Sequence, residues 1–335
     1  MSGTSVDTIE GLEQAVGRKS PAMDLKVIDH LDEWALRWIA SSPLAFLGLA
    51  GGGRVDTTLA GDCPGFCRAS SGSLAIPRGS IDASDLPQVG DGFGSLFVVP
   101  GLGETLRVNG RVAEVTGEAV VVSVGECFMH CAKAMIRSDF WGASPSPDAA
   151  PDLKAFVAAG KFMALVTDGD GVTVDVSPKG DPAGSLTRMD GGSLWFADRP
   201  GNRRTDSFRN ILQQPKVACL IVAPGSNFVA SVRGEARLTT DEARRAAFSV
   251  NGRSPLLAVE IAEVQGELLD SGALARAALW GEYEPADDLD PAKIFAAHMR
   301  LNRNKGLTAK VASVMVSIPG MMSKGLERDY KTRLY

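Results

Sequence analysis

The chain has 335 residues, 44% of them apolar and 22% charged, which at about 150 residues per domain suggests two globular units. That composition excludes a disordered chain, a collagen-like fibre and a disulfide-dense miniprotein. With 35 basic and 40 acidic residues the net charge is −5, which argues against whole-surface binding to nucleic acid or to a membrane.

Residues 1–30 read as an N-terminal extension. Its start, MSGTSVDTIEGLEQ, has no basic run followed by an apolar stretch, so no signal peptide is expected. No segment reaches the ~18 consecutive apolar residues of a membrane helix, and five cysteines without an export signal point to reduced thiols in the cytoplasm. Val27, Ile28, Leu31, Trp34 and Trp38 give a helical face over 24–40. Residues 31–142 form a first strand-rich repeat, in which Gly51–Gly53 and Gly90–Gly94 are expected as hairpin turns. Residues 143–152, ASPSPDAAPD, have a linker's composition. A second repeat follows over 153–282, where runs such as 161–167, 172–177, 217–223 and 228–238 alternate or are β-branched between DGDG, SPKGD and APGSN turns. Helices are expected over 202–213, 240–250 and 270–280. Residues 283–335 read as a basic helical extension that packs on a barrel, over a dimer interface or across a site entrance. Short turns and few helices favour antiparallel barrels over a doubly wound sheet, so the fold class is mainly β with flanking helices, α+β.

The two strand-rich segments repeat one another. Aligning Asp56 with Asp175 sets Thr58 on Ser177, Gly61 on Gly180 and Asp62 on Asp181. GSLAIP (72–77) then answers GSLWFA (192–197), PGLGETLRVNGRV (100–112) answers PGSNFVASVRGEA (224–236), and Trp141 answers Trp280.

The chemistry concentrates in 175–210. Four arginines and one aspartate fall between Arg199 and Arg209, beside a helix expected to begin near Arg203. Free backbone N–H groups at a helix N-terminus, flanked by guanidinium groups, suit a phosphate. Ser177 and Lys179 lie one element earlier. In the first repeat, CFMHCAKA puts His130 at the expected start of a helix with Lys133 one turn on, an acid/base candidate with a near-neutral pKa. His30 and His298 have no partner pattern. Cys63, Cys67, Cys127 and Cys131 form two C-x3-C pairs without the C-x2-C spacing of a zinc site, so small buried thiols are expected and no metal. No nucleophile elbow, Walker loop or dinucleotide fingerprint occurs.

The words DVSPKGD, ADRPGNRRTDSFRNI, PGLGETLRVNGR and ECFMHCAKAMIRSDFW resemble the FMN-binding split β-barrel proteins related to pyridoxamine 5′-phosphate oxidase, closest to a bacterial branch of that group. The resemblance covers roughly 31–282 and implies a homodimeric split barrel with FMN at the subunit interface. It assigns FMN contacts to Asp175, Ser177, Lys179, Arg199, Asn202, Arg203, Arg204 and Ser207. The family carries these words in one domain, whereas here each repeat keeps what the other has lost. Two tandem units would therefore form an internal pseudo-dimer with one composite FMN site. The second repeat would hold the phosphate, and the first would supply Glu104, Arg107, His130 and Lys133 near flavin or substrate. The expected function is an FMN-dependent oxidoreductase acting on a small molecule. The alternatives are a flavin-binding module without turnover, or the same fold holding haem or a deazaflavin. No nucleic-acid or membrane partner is expected, and paired barrels leave room for a further homodimer.

Overall fold

The computed structural model describes residues 4–19, 21–145, 152–169, 174–200, 204–283, 286, 288–302, 321–332 and 334–335. The first unit contains β1 (Leu44–Gly51), β2 (Arg54–Gly61), β3 (Arg68–Ser70), β4 (Ser73–Pro77), β5 (Gly92–Val98), β6 (Thr105–Val115) and β7 (Ala119–His130). The second contains β8 (Phe162–Asp168), β9 (Val174–Gly180), β10 (Thr187–Asp190), β11 (Ser193–Ala197), β12 (Lys216–Val222), β13 (Phe228–Thr239) and β14 (Ala258–Asp270). Each set forms one antiparallel sheet, ordered β2-β1-β5-β6-β7-β4-β3 and, strand for strand, β9-β8-β12-β13-β14-β11-β10. The chain is thus two tandem split-barrel units with flanking helices.

The repeat extends to single residues. Gly61 pairs with Leu44 as Gly180 pairs with Phe162, and the long hairpins bulge at Asn109/Gly110 and at Arg233/Glu235. Trp141 Nε1 donates to Leu102 O at 2.7 Å, and Trp280 Nε1 donates to Ser226 O at 2.9 Å. Asp139 and Ala278, two residues before each of the aligned tryptophan partners, share the left-handed region at φ 48° and 46°.

The apolar run of β1 is buried on both faces, as period-2 side chains require when each face meets a different layer. Ala45, Leu47 and Leu49 enter the first unit's core, while Leu44, Phe46 and Ala50 enter a core shared with the second unit. In β8, Met163 and Leu165 fill the second unit's own core, and Phe162, Ala164 and Val166 face the shared one. Phe46 and Phe162 meet there with ring centres 5.3 Å apart. The two units therefore pack through a continuous apolar layer, which makes the internal pseudo-dimer.

Short helices cross that layer in exchange. After β7, α1 (Lys133–Arg137) packs on β9, and after β14, α2 (Gly272–Ala277) packs on β2. Arg137 Nε donates to Gly180 O at 2.9 Å, and Arg276 Nε donates to Gly61 O at 3.0 Å.

The flanking segments depart from several expectations. The helix expected over 24–40 occupies only Glu33–Ser41, because Asp32 caps it by accepting from Ala35 N, and Ile28 instead pairs with Cys127 as an isolated bridge. The extension before it is no separate piece. Leu12 packs into the second unit's core, and Ile28 and Leu31 pack into the first unit's. The second repeat's helices shorten to Asp206–Gln213, Glu242–Ala246 and α2. Gly92–Gly94 lie inside β5, so only Gly90, at φ 92°, makes the second expected turn. Most of the linker, 146–151, lies outside the described residues. In the last extension the helix Pro291–Leu301 packs Ile294 and Phe295 on the first unit. Its His298 is fully buried, with Nε2 3.3 Å from Asp32 Oδ1.

Candidate functional site

A cavity of about 1000 Å³ opens where the two units meet. The first unit contributes Arg107 from β6, His130 from the end of β7 and Lys133 from α1. The second contributes Asp175, Ser177 and Lys179 from β9, with Arg199 and Arg204 from the loop that leads to the helix Asp206–Gln213. The strand pleat sets this out, because Asp175, Ser177 and Lys179 are alternate residues of one strand and face the same way. Asn202 and Arg203 lie outside the described residues.

Asp175 is the hub. It accepts from the Arg107 guanidinium, from Ser177 Oγ at 2.7 Å and lies 3.0 Å from Ser207 Oγ. Arg107, 1% exposed, also donates to Val176 O, so it ties the two units together in the cavity wall. Its Nε has no hydrogen bond among the described residues. Lys179 differs from the cations around it. Its ammonium lies 5.0 and 5.8 Å from the ring centres of Phe208 and Phe196, and no ion pair holds it among the described residues. Burial lowers its pKa, opposed by Asp198 and Asp175. Arg199 Nε binds Asp181 Oδ2 at 2.6 Å, and Arg204 Nε binds Asp206 Oδ2 at 2.6 Å with its guanidinium 4.2 Å from the Phe128 ring centre.

His130 ends a strand rather than starting a helix. Burial, with Arg107, Lys26, Arg204 and Lys179 near by, pushes its pKa well below the usual value. The imidazole is therefore neutral at pH 7, which corrects the near-neutral titration expected from sequence. Its Nε2 has no hydrogen-bond partner among the described residues. Glu104, raised by burial, accepts from Tyr330 Oη at 2.8 Å, and Lys133 pairs with Asp329 at 2.8 Å. Both contacts come from the helix Met321–Thr332, so the last extension lies across the cavity. The thiols divide: Cys67 and Cys127 are buried, Cys131 is half-buried and Cys63 is exposed, against the expectation of small buried thiols.

Sequence reasoning missed Lys26, Arg137 and Asp181. Lys26 arrives from the extension, donates to Met129 O at 2.6 Å and lines the cavity beside His130. Burial lowers its pKa to about 7. No local pattern marks a residue that reaches its site through the path of an irregular segment. Asp181 was visible only through its alignment with Asp62, and Arg137 lay inside the word ECFMHCAKAMIRSDFW without a role of its own.

The pseudo-symmetric position lacks this set. Register places Ala60 where the cavity has Lys179, Ser231 where it has Arg107, and Leu269 where it has His130. There Asp82 already accepts from Ser271 Oγ and from Ala273 N at 2.7 Å.

Residues 149–278 match the family model described as pyridoxamine 5′-phosphate oxidase. The second unit belongs to that oxidase-related family. No curated protein matches the chain. Among solved structures, HupZ of Group A Streptococcus is 17% identical, with 38% of this chain and 98% of that one covered at TM-score 0.30. General Stress Protein 26 of Bacillus anthracis is 13% identical, covering 36% and 92% at 0.28. An F420 reductase is 15% identical, covering 36% and 98% at 0.27. No described helix is long and apolar enough to cross a membrane.

Proposed function

We propose that the chain is an FMN-binding flavoprotein with one composite site, acting as an FMN-dependent oxidoreductase on a small molecule. The observation that carries this reading is Lys179 of the oxidase-related unit, without an ion-pair partner among the described residues, lining one cavity with Arg107 and His130 of the other unit. The residues present fit the cofactor. The volume is at the upper end of small-molecule sites. An ammonium with no carboxylate in contact among the described residues, beside the Ser177 and Ser207 hydroxyls, suits a phosphate monoester, and two buried N atoms, Arg107 Nε and His130 Nε2, have no hydrogen-bond partner among those residues.

Bound there, FMN supplies hydride or electron transfer. Lys179, Ser177, Ser207 and Arg204 would hold its phosphate. Asp175 acts as a positioning residue, because a carboxylate repels phosphate and this one is committed to Arg107 and the serine hydroxyls. Neutral His130 offers Nε2 to a polar ligand atom without bringing a charge. Lys26, with a pKa of about 7, can hold or release a proton at Nζ near neutral pH beside His130.

The test is the absorbance spectrum of the purified protein, followed by quantitation of released flavin. One FMN per chain is expected, and Lys179→Ala should weaken FMN binding ten- to a hundredfold, the worth of about 1.5–3 kcal/mol for a charged hydrogen bond. Two flavins per chain, or unchanged affinity in Lys179→Ala, would overturn the composite site. A Soret band would overturn the cofactor.

A further inference from the structure

The cavity wall also includes Lys133, Arg137, Arg199 and Arg253, and the last residues of the described chain lie against it. The Tyr335 ring lies with its centre 5.9 Å from the Arg137 guanidinium carbon and 5.7 Å from that of Arg199, within the range of attraction between a cation and an aromatic face. Around it the cations are matched by oxygens of the same segment. Arg137 donates to Leu334 O at 2.9 Å, Arg253 donates to Tyr335 O at 2.6 Å, and Lys133 pairs with Asp329. Asp181, 2% exposed, is the buried acceptor beside them: Oδ2 binds Arg199 Nε at 2.6 Å, Oδ1 lies 3.8 Å from Arg137 Nε with no hydrogen bond of its own among the described residues, and the Tyr335 hydroxyl faces the carboxylate.

The segment thus presents an aromatic ring and several oxygen acceptors to a wall of guanidinium and ammonium groups. Asp329 is 40% exposed where it meets the buried Lys133 ammonium.

We propose that the end walled by Arg137, Arg199 and Lys133 is a subsite for a planar aromatic carboxylate carrying a ring hydroxyl, and that Asp329, Leu334 and Tyr335 occupy it until such a ligand arrives. The ring would take the place of Tyr335, the carboxylate that of Asp329 and the backbone oxygens, and the hydroxyl would donate to Asp181 Oδ1. This deepens the proposed function by naming the substrate class, and it rests on that reading only in calling the ligand a substrate.

The test is calorimetric titration of flavin-free protein with 4-hydroxybenzoate, and with cyclohexanecarboxylate as a control of equal charge without the aromatic face. Tyr335→Ala vacates the ring position and should bind 4-hydroxybenzoate at least tenfold more tightly than the parent chain. Cyclohexanecarboxylate should bind at least fivefold more weakly, and adding Arg199→Gln should remove the gain. A chain ending at residue 320 should behave as Tyr335→Ala does, and if it fails to fold the point variant decides alone. Equal affinity in the parent and Tyr335→Ala, a gain that survives Arg199→Gln, or equal binding of the two carboxylates would overturn the proposal. FMN titrated separately keeps the two readings apart. Loss of FMN binding with 4-hydroxybenzoate binding intact removes only the flavin, and the reverse removes only this subsite.

Discussion

At the scale of single residues, the site is defined by which charges are matched. Arg107, Arg199 and Arg204 each have a carboxylate, whereas Lys179 and Lys26 have none in contact among the described residues. Lys26 yields a pH prediction whose sign follows from proton counting. Its pKa is about 7 in the folded chain against 10.5 for an exposed lysine. Between those values the unfolded chain binds more protons, so this residue makes stability rise with pH through that window, and below about pH 7 it imposes the full cost of a buried charge. Lys26→Met should therefore be more stable than the parent at pH 6, with the gain shrinking by pH 9, when urea midpoints are compared. A parallel pH dependence in the two proteins would refute the assignment. Sequence could read Lys179, Ser177 and Arg204 because they sit in contiguous words. It could not read Lys26, whose contact with Met129 spans a separation of 103 residues.

At the scale of elements, the exchanged helices α1 and α2 depend on two glycines. A Cβ on Gly180 would lie 1.9 Å from Ala134 O, and one on Gly61 would lie 2.5 Å from Ala273 O. Both contacts are with backbone, which cannot turn aside as a side chain can. Gly180→Ala and Gly61→Ala should each destabilise by about 1–3 kcal/mol, while Gly72→Ala, with nothing within 4 Å, should stay within about 0.5 kcal/mol. Thermal melts of the three variants check this. Gly180→Ala should also weaken FMN binding, since α1 carries Lys133 and follows His130, whereas Gly61→Ala should leave it unchanged. The strands and their order of repetition were legible because alternation and turn residues are local signals. Helix limits were less so. Over 24–40 the apolar spacing continues through a segment where the Asp32 cap and the Ile28–Cys127 bridge, both set by tertiary context, determine the start.

At the scale of the whole molecule, the largest debt is the shared apolar layer. Phe162, Ala164, Val166, Val174 and Val176 of the second unit are all 0% exposed, and they are buried against the first. A fragment spanning 152–283 should therefore never appear as a folded monomer. Light scattering after size exclusion should find dimers or aggregates, and a monodisperse monomer with native near-UV dichroism would contradict the pairing. The duplication itself was legible in sequence, yet the way the halves meet was not, since no single repeat indicates that its apolar run is shared between two layers. The covalent joining of the halves has a further consequence. In a two-fold dimer of identical chains, every substitution is entered twice, so a change that improves one face of the interface is imposed on its mirror. Here Ala60 and Lys179 occupy matching places and differ. Joined in one chain, the two halves can change independently, and variation in each can be selected on its own account.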